Sequence, residues 1–163
     1  MQAVATVTSK TVITSADMQA GLAAGFFGGL AEVMWIGAYQ SVHGHDPALV
    51  ARGVIGTIFP ALADGSYATT LGVSAHMAIA LVLGVALAVG ARRFLSRAAS
   101  PAKALAVFSA LIVIWAINFF VVLPIWNPGF ATIVPYGVSL ISKALFGVAA
   151  AFALVRMYRG AKT

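Results

Sequence analysis

The chain has 163 residues, 61% hydrophobic and 9% charged, with a formal net charge of +6 and a mean hydropathy of +0.99. Soluble domains carry roughly 25% charged residues, so this composition excludes the soluble globular class and places most of the chain in lipid. Cysteine is absent, which excludes disulfides, thiolate metal sites and thioether-linked haem.

Residues 1–17, MQAVATVTSKTVITSAD, are polar and rich in Thr and Ser. They lack the basic start and short apolar run of a signal peptide, and read as an N-terminal tail or surface segment. A membrane span needs about 20 apolar residues. The first covers residues 18–40, MQAGLAAGFFGGLAEVMWIGAYQ.

A loop rich in apolar residues follows, containing DPALVARGVIGTIFP. Asp46 suits a helix N-cap and Pro47 a first helical position. About 12 residues cannot span a bilayer, so this segment is expected to be an interfacial or re-entrant helix. Just before it, HGHD supplies His43, His45 and Asp46. Two imidazoles and a carboxylate could hold copper or zinc, although the ligand set is incomplete; capping and solvating the loop is the ordinary role of such residues.

Span two covers residues 70–91. Arg92, Arg93, Arg97 and Lys103 fill the connection after it; the three arginines are candidates for contact with anionic lipid headgroups as well as for setting topology. Span three covers 104–123 and is expected to close at Pro124. The loop PIWNPGFATIVP then leads to span four, 136–155, with Pro135 at its start. Residues 156–163 form a basic tail with Arg156, Arg159 and Lys162.

The basic residues cluster at span ends, so the net charge reads as topology and not as nucleic-acid binding. Only Arg52 lies on the side opposite the central connection. The positive-inside rule therefore puts both termini and that connection in the cytoplasm. Trp35, Tyr39, Trp126 and Tyr136 fall near the outer ends, as an aromatic belt would. The expected architecture is an all-α, four-helix transmembrane bundle forming one domain over residues 18–155.

Four polar side chains interrupt the spans: Glu32, His76, Asn118 and Lys143. Counted from the outer ends at 1.5 Å per residue, all four lie roughly 9–12 Å deep. Helical spacing puts Glu32 on one face with Gly21, Gly25, Gly28 and Gly29. His76 likewise shares a face with Gly72, Ala80 and Gly84, and Lys143 with Ser139, Gly147 and Ala151. Small residues mark packing faces, so the polar groups point into the bundle.

Such a layer has three readings. It can be structural, with Glu32 and Lys143 as an ion pair and His76 and Asn118 completing hydrogen bonds. It can relay protons or ions through Glu32 and His76. It can form the polar end of a site for a bound lipid or quinone. No further cofactor is expected: His76 alone sits at membrane depth, too few imidazoles for bis-histidine haem. No phosphate loop, Ser/His/Asp arrangement or HExxH is present, so an enzyme ranks last.

The run NFFVVLPIWNP from Asn118 to Pro128, followed by a span with Lys143 shortly before Leu145-Phe146-Gly147, resembles a family of small, uncharacterised four-span bacterial inner-membrane proteins. GLAAGFFGGLAEVMW and SAHMAIALVLG fit the same resemblance, which covers most of the chain from Gly21 to Val155. The resemblance implies a fold more than an activity. It also implies that histidine is frequent where this chain carries Lys143, a departure that favours an ion pair over a relay at that position. The expected role is a non-catalytic accessory subunit of a larger inner-membrane assembly, respiratory or otherwise energy-converting, in contact with lipids and other membrane subunits. The alternative is a small transporter or channel using the polar layer.

Overall fold

The helices begin and end where local chemistry dictates. In the computed structural model, which describes residues 13–95 and 100–160, the first helix, α1 (Ser15–Val42), opens on a capping box. The Thr14 hydroxyl accepts from the Asp17 amide at 3.2 Å, and the Asp17 carboxylate accepts from the Thr14 amide at 3.0 Å. Ser15 to Asp17, expected in the tail, thus form the first turn of the first span.

A short helix α2 (Ala48–Ile58) and a 3-10 turn (Pro60–Leu62) occupy the first long loop. They are followed by α3 (Ala68–Leu95). The third span is built from α4 (Ser100–Ile117), a π-helical turn (Asn118–Val122) and α5 (Leu123–Trp126). A four-residue helix α6 (Phe130–Ile133) precedes α7 (Tyr136–Gly160). Four helices are long and apolar enough to cross a membrane: Ser15–Val42, Ala68–Leu95, Pro101–Trp126 and Tyr136–Met157. The protein is a multi-pass, all-α membrane protein.

Pro124 does not close the third span. Proline lacks an amide hydrogen and its ring collides with the carbonyl four residues earlier in an α-helix. Here the backbone widens first: the Leu123 amide bonds the Asn118 carbonyl, five residues back. The π turn gives the ring room, and the helix continues to Trp126.

Glycine decides which spans meet. Lipid tails are as apolar as the helices, so association depends on close approach and on polar bonds. α1 packs against α3 on one side and α7 on the other, and α4 packs against α7. At the α1–α3 crossing, a Cβ added at Gly84 would overlap the backbone of Gly21 and Gly25. Higher on α3, a Cβ at Gly72 would overlap the carbonyl of Ala51, so α2 lies directly on α3. α4 meets α7 at Gly147, against Leu111 and Phe108. From Ser100 to Trp126 there is no glycine at all, and α4 barely touches α3. The bundle is an arc in the order α3, α1, α7, α4, open between its two ends.

Two apolar clusters hold this arc. The one nearer the termini includes Ala24, Ala80, Ala88, Leu111, Phe146 and Leu154. The one nearer the loops includes Phe119, Leu123, Phe130 and Val134. On the termini side, Arg92 in the last turn of α3 reaches the Thr14 hydroxyl at 3.0 Å and pairs with the buried Asp17. The first turn of α1 and the last turn of α3 are thereby pinned together.

Candidate functional site

Glu32 comes from α1, His76 from α3, and Ser142 and Lys143 from α7. The glycine face that brings these helices together also turns Glu32 inward, where it is 5% exposed. The Lys143 ammonium sits 2.7 Å from Glu32 Oε1. The Ser142 hydroxyl donates to the same oxygen at 3.3 Å. Lys143 also lies 5.2 Å from the centre of the Phe146 ring, one turn along α7. The carboxylate is therefore neutralised and hydrogen-bonded, as a charge away from water requires.

His76 joins this group without bonding to it. Its Nε2 is 3.7 Å from Glu32 Oε2, beyond hydrogen-bond length. That nitrogen is buried and has no hydrogen-bond partner. Asn118, the fourth member of the expected layer, opens the π turn on the third span. It lines the same cavity as the other three but is exposed, and it forms no side-chain hydrogen bond with them among the described residues. The geometry thus brings Glu32, His76 and Lys143 into one cluster and leaves Asn118 facing it across an opening.

The opening is a cavity of about 700 Å³. Its polar end carries Glu32, His76, Ser142 and Lys143. The rest of its wall is mostly apolar, with Val50 and Val54 from α2, Val73 from α3, and Trp115 and Phe119 from the third span, interrupted by Asp46, Thr57, Thr69, Asn118 and Ser139. Trp115 stacks on Phe119 at 5.6 Å between ring centres. The indole N–H of Trp115 donates to the Ser139 hydroxyl at 2.9 Å, and that hydroxyl donates to the Tyr136 carbonyl at 2.9 Å. The aromatic wall is held in place by bonds to α7.

Bonds between the two loop segments roof this space. The Asn127 amide donates to the Thr57 hydroxyl at 2.9 Å and to the Gly53 carbonyl at 3.3 Å, which fixes the end of the third span on α2. The buried Gln40 amide donates to the Ile133 carbonyl at 3.1 Å. Phe146 and its neighbours close the termini side. The mouth lies between α3 and α4, where Ile79 is 55% and Ile114 39% exposed while both line the cavity. Both residues sit near the middle of their spans, so this mouth opens at mid-span.

The other expected site residues lie elsewhere. His43 and His45 turn to different partners: His43 Nδ1 is 2.8 Å from the Tyr39 carbonyl, and His45 Nδ1 is 3.1 Å from the Gln40 side chain. Asp46 accepts from the Ala48 amide at 2.8 Å and pairs with Arg52 at 2.6 Å. The Arg52 guanidinium, followed by the Ala48 amide, holds the Asp46 carboxyl below its ordinary value. Among the described residues no group of three histidine or acidic side chains converges as a metal ion would need. At His43, His45 and Asp46 each polar group is engaged with a neighbour in the loop, the capping and solvating role that the sequence allowed.

Two of the three arginines have partners within the chain. Arg92 is engaged with Asp17 and Thr14. Arg93 lies over the Phe94 ring at 5.7 Å. Arg97 falls outside the described residues. Trp35, placed in an aromatic belt by the sequence, gives its indole N–H to the Val138 carbonyl on α7 at 3.0 Å.

Ser142, Trp115 and Asp17 escaped sequence reasoning. Ser142 and Trp115 carry no motif. Asp17 does, since Thr14-x-x-Asp17 has capping-box spacing ahead of an apolar run. No family model, curated protein or solved structure matches the chain.

Proposed function

We propose that this chain is a non-catalytic membrane protein that holds a lipid-soluble molecule between its helices, as an accessory subunit of a bacterial inner-membrane assembly. The cavity carries the reading. It has about 700 Å³, a polar cluster at one end, mostly apolar walls and a mouth at mid-span. Pockets of roughly 300–1,000 Å³ with a few convergent polar groups are the usual form of small-molecule sites. A mouth between α3 and α4 admits molecules already dissolved in the bilayer. The basic residues near both termini support a cytoplasmic placement of those ends.

Solvent extraction of protein purified in mild detergent tests this reading. One lipid-soluble molecule should be retained per chain and retained less in Val73→Phe, which puts a larger side chain into the cavity. A wild-type protein that retains nothing would sink it. Native gels address the assembly: a chain that runs alone after gentle extraction is not an accessory subunit.

One observation favours a second reading. The unpartnered His76 nitrogen beside Glu32 resembles a stage in a proton pathway. Proteoliposome proton flux that disappears in Glu32→Gln would establish it. The packed cluster around Phe146 and Leu111 toward the termini favours binding instead.

A further inference from the structure

The charge balance at the polar end restricts what the cavity can hold. Lys143 is the one lysine or arginine among its described lining residues, and its ammonium is already 2.7 Å from Glu32. Moving it to a phosphate or fatty-acid carboxylate would strand a buried Glu32, which makes anionic headgroups poor occupants. The cavity's carboxylates are similarly engaged. Glu32 is held by Lys143 and Ser142, and Asp46 by Arg52. A cationic headgroup meets no free anion.

Uncharged hydrogen-bonding capacity is what remains. His76 lines the cavity from α3, its Nε2 tucked beside Glu32 without a hydrogen bond and brought to the cavity by a turn of the ring, and the Asn118 amide lines it from the third span. An imidazole nitrogen donates in one tautomer and accepts in the other, and a carboxamide does both. Together they suit a molecule that presents a carbonyl in one state and a hydroxyl in another. The neighbouring surface is aromatic: Trp115 stacked on Phe119, with Phe130 and Phe146 also in the wall. Flat π surfaces favour a flat ring. The mouth, flanked by Ile79 and Ile114 at mid-span, lets a long apolar tail continue into the bilayer.

We infer that the cavity is a quinone site: an uncharged ring lies against Trp115 and Phe119 with its oxygens toward His76 and Asn118, and its tail leaves between α3 and α4. This rests on the reading of the cavity as a ligand site and adds the class of ligand.

Tryptophan quenching in detergent micelles tests it on the full-length protein. The probes are a decyl-substituted benzoquinone and, separately, a phosphatidylglycerol with brominated chains. The quinone should quench saturably at one equivalent, and Trp115→Phe should remove that signal while leaving Trp35 and Trp126. Asn118→Leu, at an exposed position, and His76→Gln should each weaken binding about tenfold; circular dichroism and gel filtration confirm that both fold. Quinone quenching unaffected by both variants would overturn the proposed placement. Saturable quenching by the brominated lipid that quinone does not displace would overturn the quinone assignment and keep the ligand site. If neither probe reaches Trp115, the site itself is refuted.

Discussion

Where α1 crosses α3, Gly21, Gly25 and Gly84 bring two backbones together with no side chain between them. Where the third span faces α3, Trp115, Asn118 and Phe119 look across a cavity of about 700 Å³. The same helix α3 takes part in both. The difference lies in its partners: α1 offers glycines on the facing side, and the third span offers none. Lacking the push of water between helices, a membrane bundle closes where residues are small and stays open where they are not. The Glu32–Lys143 pair lies between these two regimes, joined to the closed side by α1 and α7 and exposed to the open side by its place in the cavity wall.

Breaking that pair should have the largest effect. Lys143→Met leaves a buried carboxylate, at a cost of about 3–5 kcal/mol, read as a fall in thermal midpoint in detergent. Glu32→Gln should also destabilise, and the double variant should recover part of the loss; strictly additive losses would mean the two groups are not coupled.

Gly84→Val comes next. Forcing a branched side chain against the α1 backbone should cost up to about 3 kcal/mol and loosen the α1–α3 crossing. Adding bulk on the open side should behave differently. Val73→Phe projects into the cavity and should change stability by less than about 1 kcal/mol in either direction. Equal penalties at the two positions would erase the contrast between seam and cavity.

The smallest expected effect is at Asp46, in the loop. Its folded-state pKa is lowered from 3.8, chiefly by Arg52. A depressed carboxyl contributes stability above its unfolded pKa and loses it as pH falls through the lower folded value. Wild type should therefore lose slightly more stability than Asp46→Asn when pH is taken below about 4. A larger acid loss in the variant would contradict this.

The spans and the inward faces of Glu32, His76 and Lys143 were legible because helical rise and periodicity are fixed by the backbone. Counting from span ends gave similar depths, and glycine spacing gave direction. Asn118 shows where that reasoning ran out. Its depth was countable, but whether its helix touches α3 depends on interhelical distance, which no single span encodes. The continuation past Pro124 was hidden because the π turn depends on the local hydrogen-bond register. HGHD left its role open because adjacency in sequence says nothing of convergence: the end of α1 and the start of α2 draw its side chains to different partners.

The Asn118–Val122 turn has a consequence for insertions and deletions. Each helical residue advances the chain by about 100°, and this turn holds one residue more than an α-helical path would need. Excising Phe120 or Val121, both on the lipid side, would rotate everything beyond it by that angle. Leu123 would leave the interior and Asn127 would swing off α2, unroofing the chamber, while the ring of Pro124 would collide with a carbonyl it now clears. The surplus residue and the proline thus behave as a matched couple, and a chain that lost one would be expected to shed the other.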